Sequence, residues 1–140
     1  MLKNIPSIIS PELLKIIDEM GHGDEIIIAD GNFPCASLNE RVVRLDGHGC
    51  PEVLEALLRL FPLDPYQQNA FLMEVMPGDS VATPIWDTYR GIAQSGEGNF
   101  KGFGFMERFA FYERTKKAYA VIATSEKALY ANILLKKGVI

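Results

Sequence analysis

The sequence predicts an α/β layer fold built on a mainly parallel sheet. Three observations predict it. Short apolar runs, Ile26-Ile27-Ile28 above all, have the composition of strands buried on both faces. Segments with apolar residues at helical spacing separate those runs. No internal repeat and no long linker interrupts the alternation.

The elements follow in order. Ser10 can cap free N–H groups and Pro11 suits the first helical position. Leu13, Leu14, Ile16, Ile17 and Met20 then form an apolar stripe, and Gly21 can stop the helix. Residues 25–29 are a strand ending at Asp30, and 31–34 a loop. Residues 41–45 read as a second strand, turned by Asp46-Gly47-His48-Gly49. Val53, Leu54, Leu57, Leu58 and Phe61 mark a helix over 51–61. Residues 70–76 are a third strand, closed by Pro77-Gly78-Asp79, and 84–95 are helical.

The glycine-rich stretch 96–104 reads as a mobile loop or lid. The alternation of Phe109 and Phe111 suits a strand within 106–117. Met106, Phe109 and Tyr112, with cations late in the segment, suit a helix better. Residues 118–123 are a strand, 125–129 a short helical turn, and 131–135 a last strand.

The 140 residues suit one domain, spanning 1–140. A chain of this length can bury ~70% of its unfolded surface, enough for a real core. The net charge is −4, and Lys116-Lys117 and Lys136-Lys137 are isolated pairs, which argues against nucleic acid. No run reaches the ~20 apolar residues of a membrane span. Pro6, Pro11, Asp18 and Glu19 do not fit a secretion leader. Cytoplasm is the expected compartment, with Cys35 and Cys50 as reduced thiols.

Ligands of such folds bind beyond the carboxyl ends of the strands. Asp30 is placed there, and His22 sits before the same strand in the turn Gly21-His22-Gly23. A five-residue strand spans ~17 Å, so the two share a site only if another segment or subunit joins them. From its setting alone, His22 reads first as a turn residue packed or capping locally. Its functional attraction is that histidine gives and takes protons near neutral pH. Asp30 can cap loop amides, accept sugar hydroxyls, or orient an imidazole.

His22, Cys35, His48 and Cys50 lack the short paired spacing of a zinc site, so no metal is expected. Lys101 stands where a G-x-G-x-x-G phosphate loop needs its third glycine. Asp18 with Glu19, and Glu113 with Lys117, read as solvated helix faces. Trp86 and Tyr89 read as core or interface residues, or as a stacking platform for a sugar.

Several blocks lie in register along the chain: Ile9-Ser10-Pro11-Glu12-Leu13-Leu14, Met20-Gly21-His22-Gly23-Asp24-Glu25-Ile26 and Asp30-Gly31-Asn32-Phe33-Pro34. Arg108-Phe109-Ala110-Phe111-Tyr112-Glu113-Arg114 and Tyr130-Ala131-Asn132-Ile133-Leu134-Leu135-Lys136-Lys137-Gly138-Val139 follow. Together they closely resemble the L-fucose mutarotase family, whose sibling branch is the D-ribose pyranases. The resemblance implies a three-layer α/β fold, a ring-shaped homo-oligomer (usually a decamer), and sugar pockets at subunit contacts. It implies an isomerase that interconverts the anomers of free L-fucose without metal or organic cofactor. It places the proton donor on His22 and the sugar-binding positions on Asp30, Arg108, Tyr130 and Asn132, with Ala131 acting through its backbone.

Ribose pyranases carry histidine where Arg108 stands, so Arg108 favours the fucose branch. Gly31-Asn32 and the 96–104 loop depart from the family pattern. The alternatives are a ribose pyranase and a non-catalytic, transport-associated sugar-binding protein.

Overall fold

The computed structural model describes residues 1–140. Eleven elements run in the order α1 (Pro11–Glu19), β1 (Glu25–Ala29), α2 (Cys35–Leu38), β2 (Val42–Leu45), α3 (Cys50–Leu58), β3 (Ala70–Met73), α4 (Pro84–Gly96), β4 (Gly104–Met106), α5 (Arg108–Lys117), β5 (Ala120–Thr124) and β6 (Ile133–Lys136). The strands form one sheet in the order β2-β5-β1-β6-β3-β4. β6 is antiparallel to both β1 and β3, and the other neighbouring pairs are parallel. Five strands therefore point one way and only β6 is reversed.

Strand side chains alternate between faces, which divides the core in two. Ile26, Ile28, Val43, Leu72, Ile122 and Ile133 pack in the cluster that holds α1, α3 and α4. Ile27, Val121, Leu134 and Met73 pack in the cluster that holds Cys35 of α2 and Phe111 of α5. Helices thus cover both faces, giving three layers. This is why the central strands read as unbroken apolar runs. Ile26, Ile27 and Ile28 are all fully buried, each contributing ~1.5–3 kcal/mol of apolar burial.

Local chemistry sets the ends. The Ser10 hydroxyl accepts the Leu13 N–H at 3.1 Å to open α1. Helix α2 escaped the sequence reading because a four-residue helix is about one turn, too short for an apolar stripe. The segment expected to be helical from residue 106 is divided instead. Gly104, Phe105 and Met106 pair with Phe71, Leu72 and Met73 as β4. Glu107 then caps α5, its carboxylate accepting the N–H groups of Phe109 and Ala110. Gly104 is required here: a Cβ would sit 2.7 Å from the Phe71 ring.

The helical turn expected over 125–129 is absent. There the Glu126 carboxylate accepts the Lys127, Ala128 and Cys50 N–H groups and shapes a non-helical turn. The strand expected over 70–76 stops at Met73, leaving Met76 free to reach the pocket described below. Glu113 pairs with Lys116 at 2.7 Å rather than with Lys117.

The 96–104 loop is tied down rather than free. Glu97 accepts the Leu63 N–H, Asn69 donates to Asn99 O, and Gln68 donates to Gly102 O. No helix is long and apolar enough to cross a membrane.

Candidate functional site

Because β6 runs against β1, its entry lies beside the exit of β1, with Ile28 opposite Ile133. The chain leaving β5 crosses the end of β1, where Gly31 N–H donates to Glu126 O at 2.9 Å. A Cβ at Gly31 would meet that oxygen at 3.1 Å, which accounts for the glycine. The antiparallel pairing of β6 with β1 brings Asp30 and Asn132 together: the Asp30 N–H donates to Asn132 Oδ1 at 2.8 Å.

Asp30 is 7% exposed. Its Oδ1 accepts the Asn32 N–H at 3.0 Å. Burial pushes the carboxyl above its usual range, against the pull of the Asn32 and Ala131 amides and the Asn132 side chain.

A cavity of about 300 Å³ opens above this pair. Asp30, Arg108, Tyr130 and Asn132 all line it, with Asp79 and Met73. Arg108 is the first residue of α5. Its Nε donates to the Tyr112 hydroxyl at 3.0 Å, and its guanidinium lies over the Phe109 and Tyr112 rings. That stacking holds the planar fork in place.

Tyr130 occupies the left-handed region at φ 55°. Trp86 Nε1–H donates to Tyr130 O at 2.8 Å, and the Tyr89 hydroxyl donates to Ala131 O at 2.7 Å. Trp86 and Tyr89 are therefore the props of the 130–132 turn. Ala131 is fully buried, its carbonyl accepting from Tyr89 and its amide reaching the Asp30 carboxyl. The Tyr130 hydroxyl donates to Asp79 Oδ2 at 2.7 Å.

His22 lies at the opposite edge of the sheet, in the turn that leads into β1. Its Nε2 is 3.3 Å from Asp64 Oδ1. The imidazole is 45% exposed and the Asp64 side chain 3%. The Tyr66 N–H holds the Asp64 carboxyl below its usual range, and His22 adds to the effect. The Tyr66 ring lies 5.7 Å from the imidazole. A second cavity of about 470 Å³, lined by Leu14, Ile17, Val139 and Ile140 among others, includes His22. Within one protomer, then, His22 does not meet the other five candidates.

Asp64 and Asp79 are the polar side chains the sequence reading did not single out. The only signal for Asp79 was its place in a turn, and Asp64 offered none. The four residues weighed as a zinc set do not converge: Cys35 and Cys50 pack in different layers, and His22 is at the far edge. Burial pushes both thiols up to about 11, so neither is a nucleophile at neutral pH.

An open α/β sheet with a carboxylate, an amide, a phenol and a guanidinium gathered at its carboxyl edge defines a binding protein or enzyme for a small, polyhydroxylated ligand. The chain belongs to the RbsD / FucU transport protein family, matched over residues 3–140. It is 50% identical to a fucose mutarotase of Danio rerio, with 100% of this chain and 95% of that protein covered. The crystal structure of FucU from Bifidobacterium longum superposes with a TM-score of 0.95 at 56% identity over 99% of each chain. A crystal structure of the fucose mutarotase from Streptococcus pneumoniae in complex with L-fucose superposes with a TM-score of 0.93 at 49% identity, again over 99% of each chain.

Proposed function

We infer that this chain is an isomerase that interconverts the α and β anomers of free L-fucose by opening and closing the sugar ring. The observation that carries the reading is the meeting of Asp30, Arg108, Tyr130 and Asn132 around one cavity. The relatives named fucose mutarotase, at about half identity over the whole chain, supply the substrate.

Ring opening moves one proton off the anomeric hydroxyl and one onto the ring oxygen. His22 protonates the ring oxygen, while a second base or water takes the anomeric proton. The aldehyde end rotates and the ring recloses with the opposite configuration. Asp30, Arg108, Tyr130 and Asn132 hold the sugar's hydroxyls meanwhile, so the open chain does not drift. The chemistry involves neither redox change nor carbanion, and the reading assigns no metal or organic cofactor.

The separation of His22 from the cavity is resolved by assembly. In this reading the chain forms a ring-shaped homo-oligomer, a decamer on the family pattern, and His22 of one copy enters the pocket of the next. Exposed apolar residues at both ends support such a contact: Met76 and Leu129 on the pocket side, Tyr66, Val139 and Ile140 on the His22 side. Asp64 beneath His22 fixes the ring's tautomer and direction.

Saturation-transfer NMR on a panel of free sugars tests the reading. Exchange between L-fucose anomers should rise with protein concentration and outrun any effect on D-ribose. Faster pyranose–furanose exchange of D-ribose would make the chain a ribose pyranase. Saturable binding with unchanged exchange would make it a sugar-binding protein without catalysis.

A further inference from the structure

Asp79 lies in the turn after β3, 51 residues from Tyr130 in sequence, yet the two side chains meet. The turn is closed by Asp79 N–H donating to Met76 O at 3.0 Å. Both oxygens of the Asp79 carboxylate are engaged. Oδ1 accepts the Val81 N–H at 3.2 Å, and Oδ2 accepts the Tyr130 hydroxyl at 2.7 Å. The phenol oxygen in turn accepts the Met76 N–H at 3.3 Å.

A phenol has one proton and two lone pairs. Here the proton points at Asp79. What Tyr130 can offer a bound sugar is therefore an acceptor. Both residues line the same cavity as Asp30 and Arg108.

We propose that Asp79 is a positioning residue that makes Tyr130 the acceptor of the anomeric proton, the second base the mutarotase reading requires and on which this proposal rests. As the sugar opens, the anomeric O–H bond breaks and its proton passes to Tyr130 Oη. The Tyr130 O–H proton passes to Asp79 Oδ2 in the same movement. The C1–O5 bond breaks with its electron pair on O5, which takes a proton from His22 of the neighbouring copy. Reclosure on the opposite face runs each transfer backwards, so no proton is gained or lost over the cycle. Asp79 keeps the phenol above its usual titration range, while Arg108 works weakly the other way. Tyr130 thus stays protonated until it can hand its own proton on.

The test compares Asp79→Asn, Asp79→Glu, Tyr130→Phe and the double variant Asp79→Asn/Tyr130→Phe with the unaltered oligomer, by exchange NMR over a range of L-fucose concentrations. Asparagine can accept the phenol's hydrogen bond but cannot take its proton. Asp79→Asn should lower kcat by about 10–100-fold, a share of what a positioned base supplies. KM should stay within about twofold, since little ground-state binding is removed. Asp79→Glu, with its carboxylate retained, should recover most of the loss. The double variant should be no slower than Tyr130→Phe, because the two residues act as one unit.

Full kcat in Asp79→Asn, losses that multiply in the double variant, or a rise in KM at constant kcat would each overturn the assignment. If the unaltered oligomer leaves L-fucose exchange unchanged, it is the mutarotase reading that fails. If it is active and Asp79→Asn matches it, only the role of Asp79 fails.

Discussion

Two buried aspartates stand at opposite edges of the sheet and are shifted in opposite directions. Asp30, at the carboxyl edge, is pushed up because burial outweighs the amides that reach it. Asp64, at the amino edge, is held down by the Tyr66 amide and by His22. The contrast separates two tasks. Asp30 is a buried carboxylate at the wall of the cavity, where hydroxyl donors of a ligand can reach it. Asp64 is a satisfied anion that holds an exposed imidazole in one direction. On the proposed reading, one edge holds the ligand and the other presents a proton.

If those edges meet only between copies, separate lesions at each should complement. His22→Gln alone should slow L-fucose exchange by about 10²–10⁴-fold while leaving assembly intact. Arg108→Ala should lose about 10–150-fold in kcat/KM through weaker sugar binding, a charge-assisted contact being worth ~1.5–3 kcal/mol. Co-assembled in equal amounts, the two variants should regain about a quarter of normal activity, the fraction of contacts that pair an intact edge with an intact edge. Exchange NMR on the hybrid decides this. A hybrid as inactive as its parents would place the whole site within one protomer and remove His22 from it.

A smaller effect sharpens the amino-edge half of the contrast. Asp64→Asn leaves His22 in place but removes the anion that aims it. Exchange should fall by about 10²-fold, the order expected when a reacting group is misplaced by an ångström. L-fucose affinity, measured by titration, should barely change, because the Asp64 side chain is 3% exposed and reaches the pocket only through the imidazole. A large loss of affinity with kcat preserved would reassign Asp64 to sugar binding.

How much of this was legible in the sequence follows from distance along the chain. Strands such as 25–29 and helices such as α1 announce themselves through neighbouring residues, because burial on two faces or on one stripe is a local pattern. β4 and α2 did not, since three or four residues carry no period and their pairing partners lie far off. In the site, His22 and Asp30 were visible from residue type and position. Arg108, Tyr130 and Asn132 entered only through resemblance to a family. Asp64 and Asp79 were invisible to both, because each acts on a partner 42 or 51 residues away. The reversed β6, which puts Asn132 beside Asp30, is likewise a property of the sheet and not of any segment.

The smallest effect tests whether the holding edge carries a cost in stability. A carboxyl whose folded pKa is raised binds its proton more tightly when folded than when unfolded. The folded state is then favoured at low pH, and that advantage is lost as pH rises from the ordinary 3.8 through the raised folded value. Asp30→Asn carries no charge and escapes the loss. Scanning calorimetry should show the variant melting above the unaltered chain near neutral pH. Below about pH 4 the two curves should converge, because the aspartate is then protonated in both states. The same substitution should weaken L-fucose binding by about tenfold, a buried acceptor being lost. Asp64→Asn should show the reverse pattern, no more stable than the unaltered chain at neutral pH, since its anion is favoured by the fold. If both variants melt alike at every pH, the two edges do not differ in charge chemistry, and the division of labour between holding and proton transfer loses its physical basis.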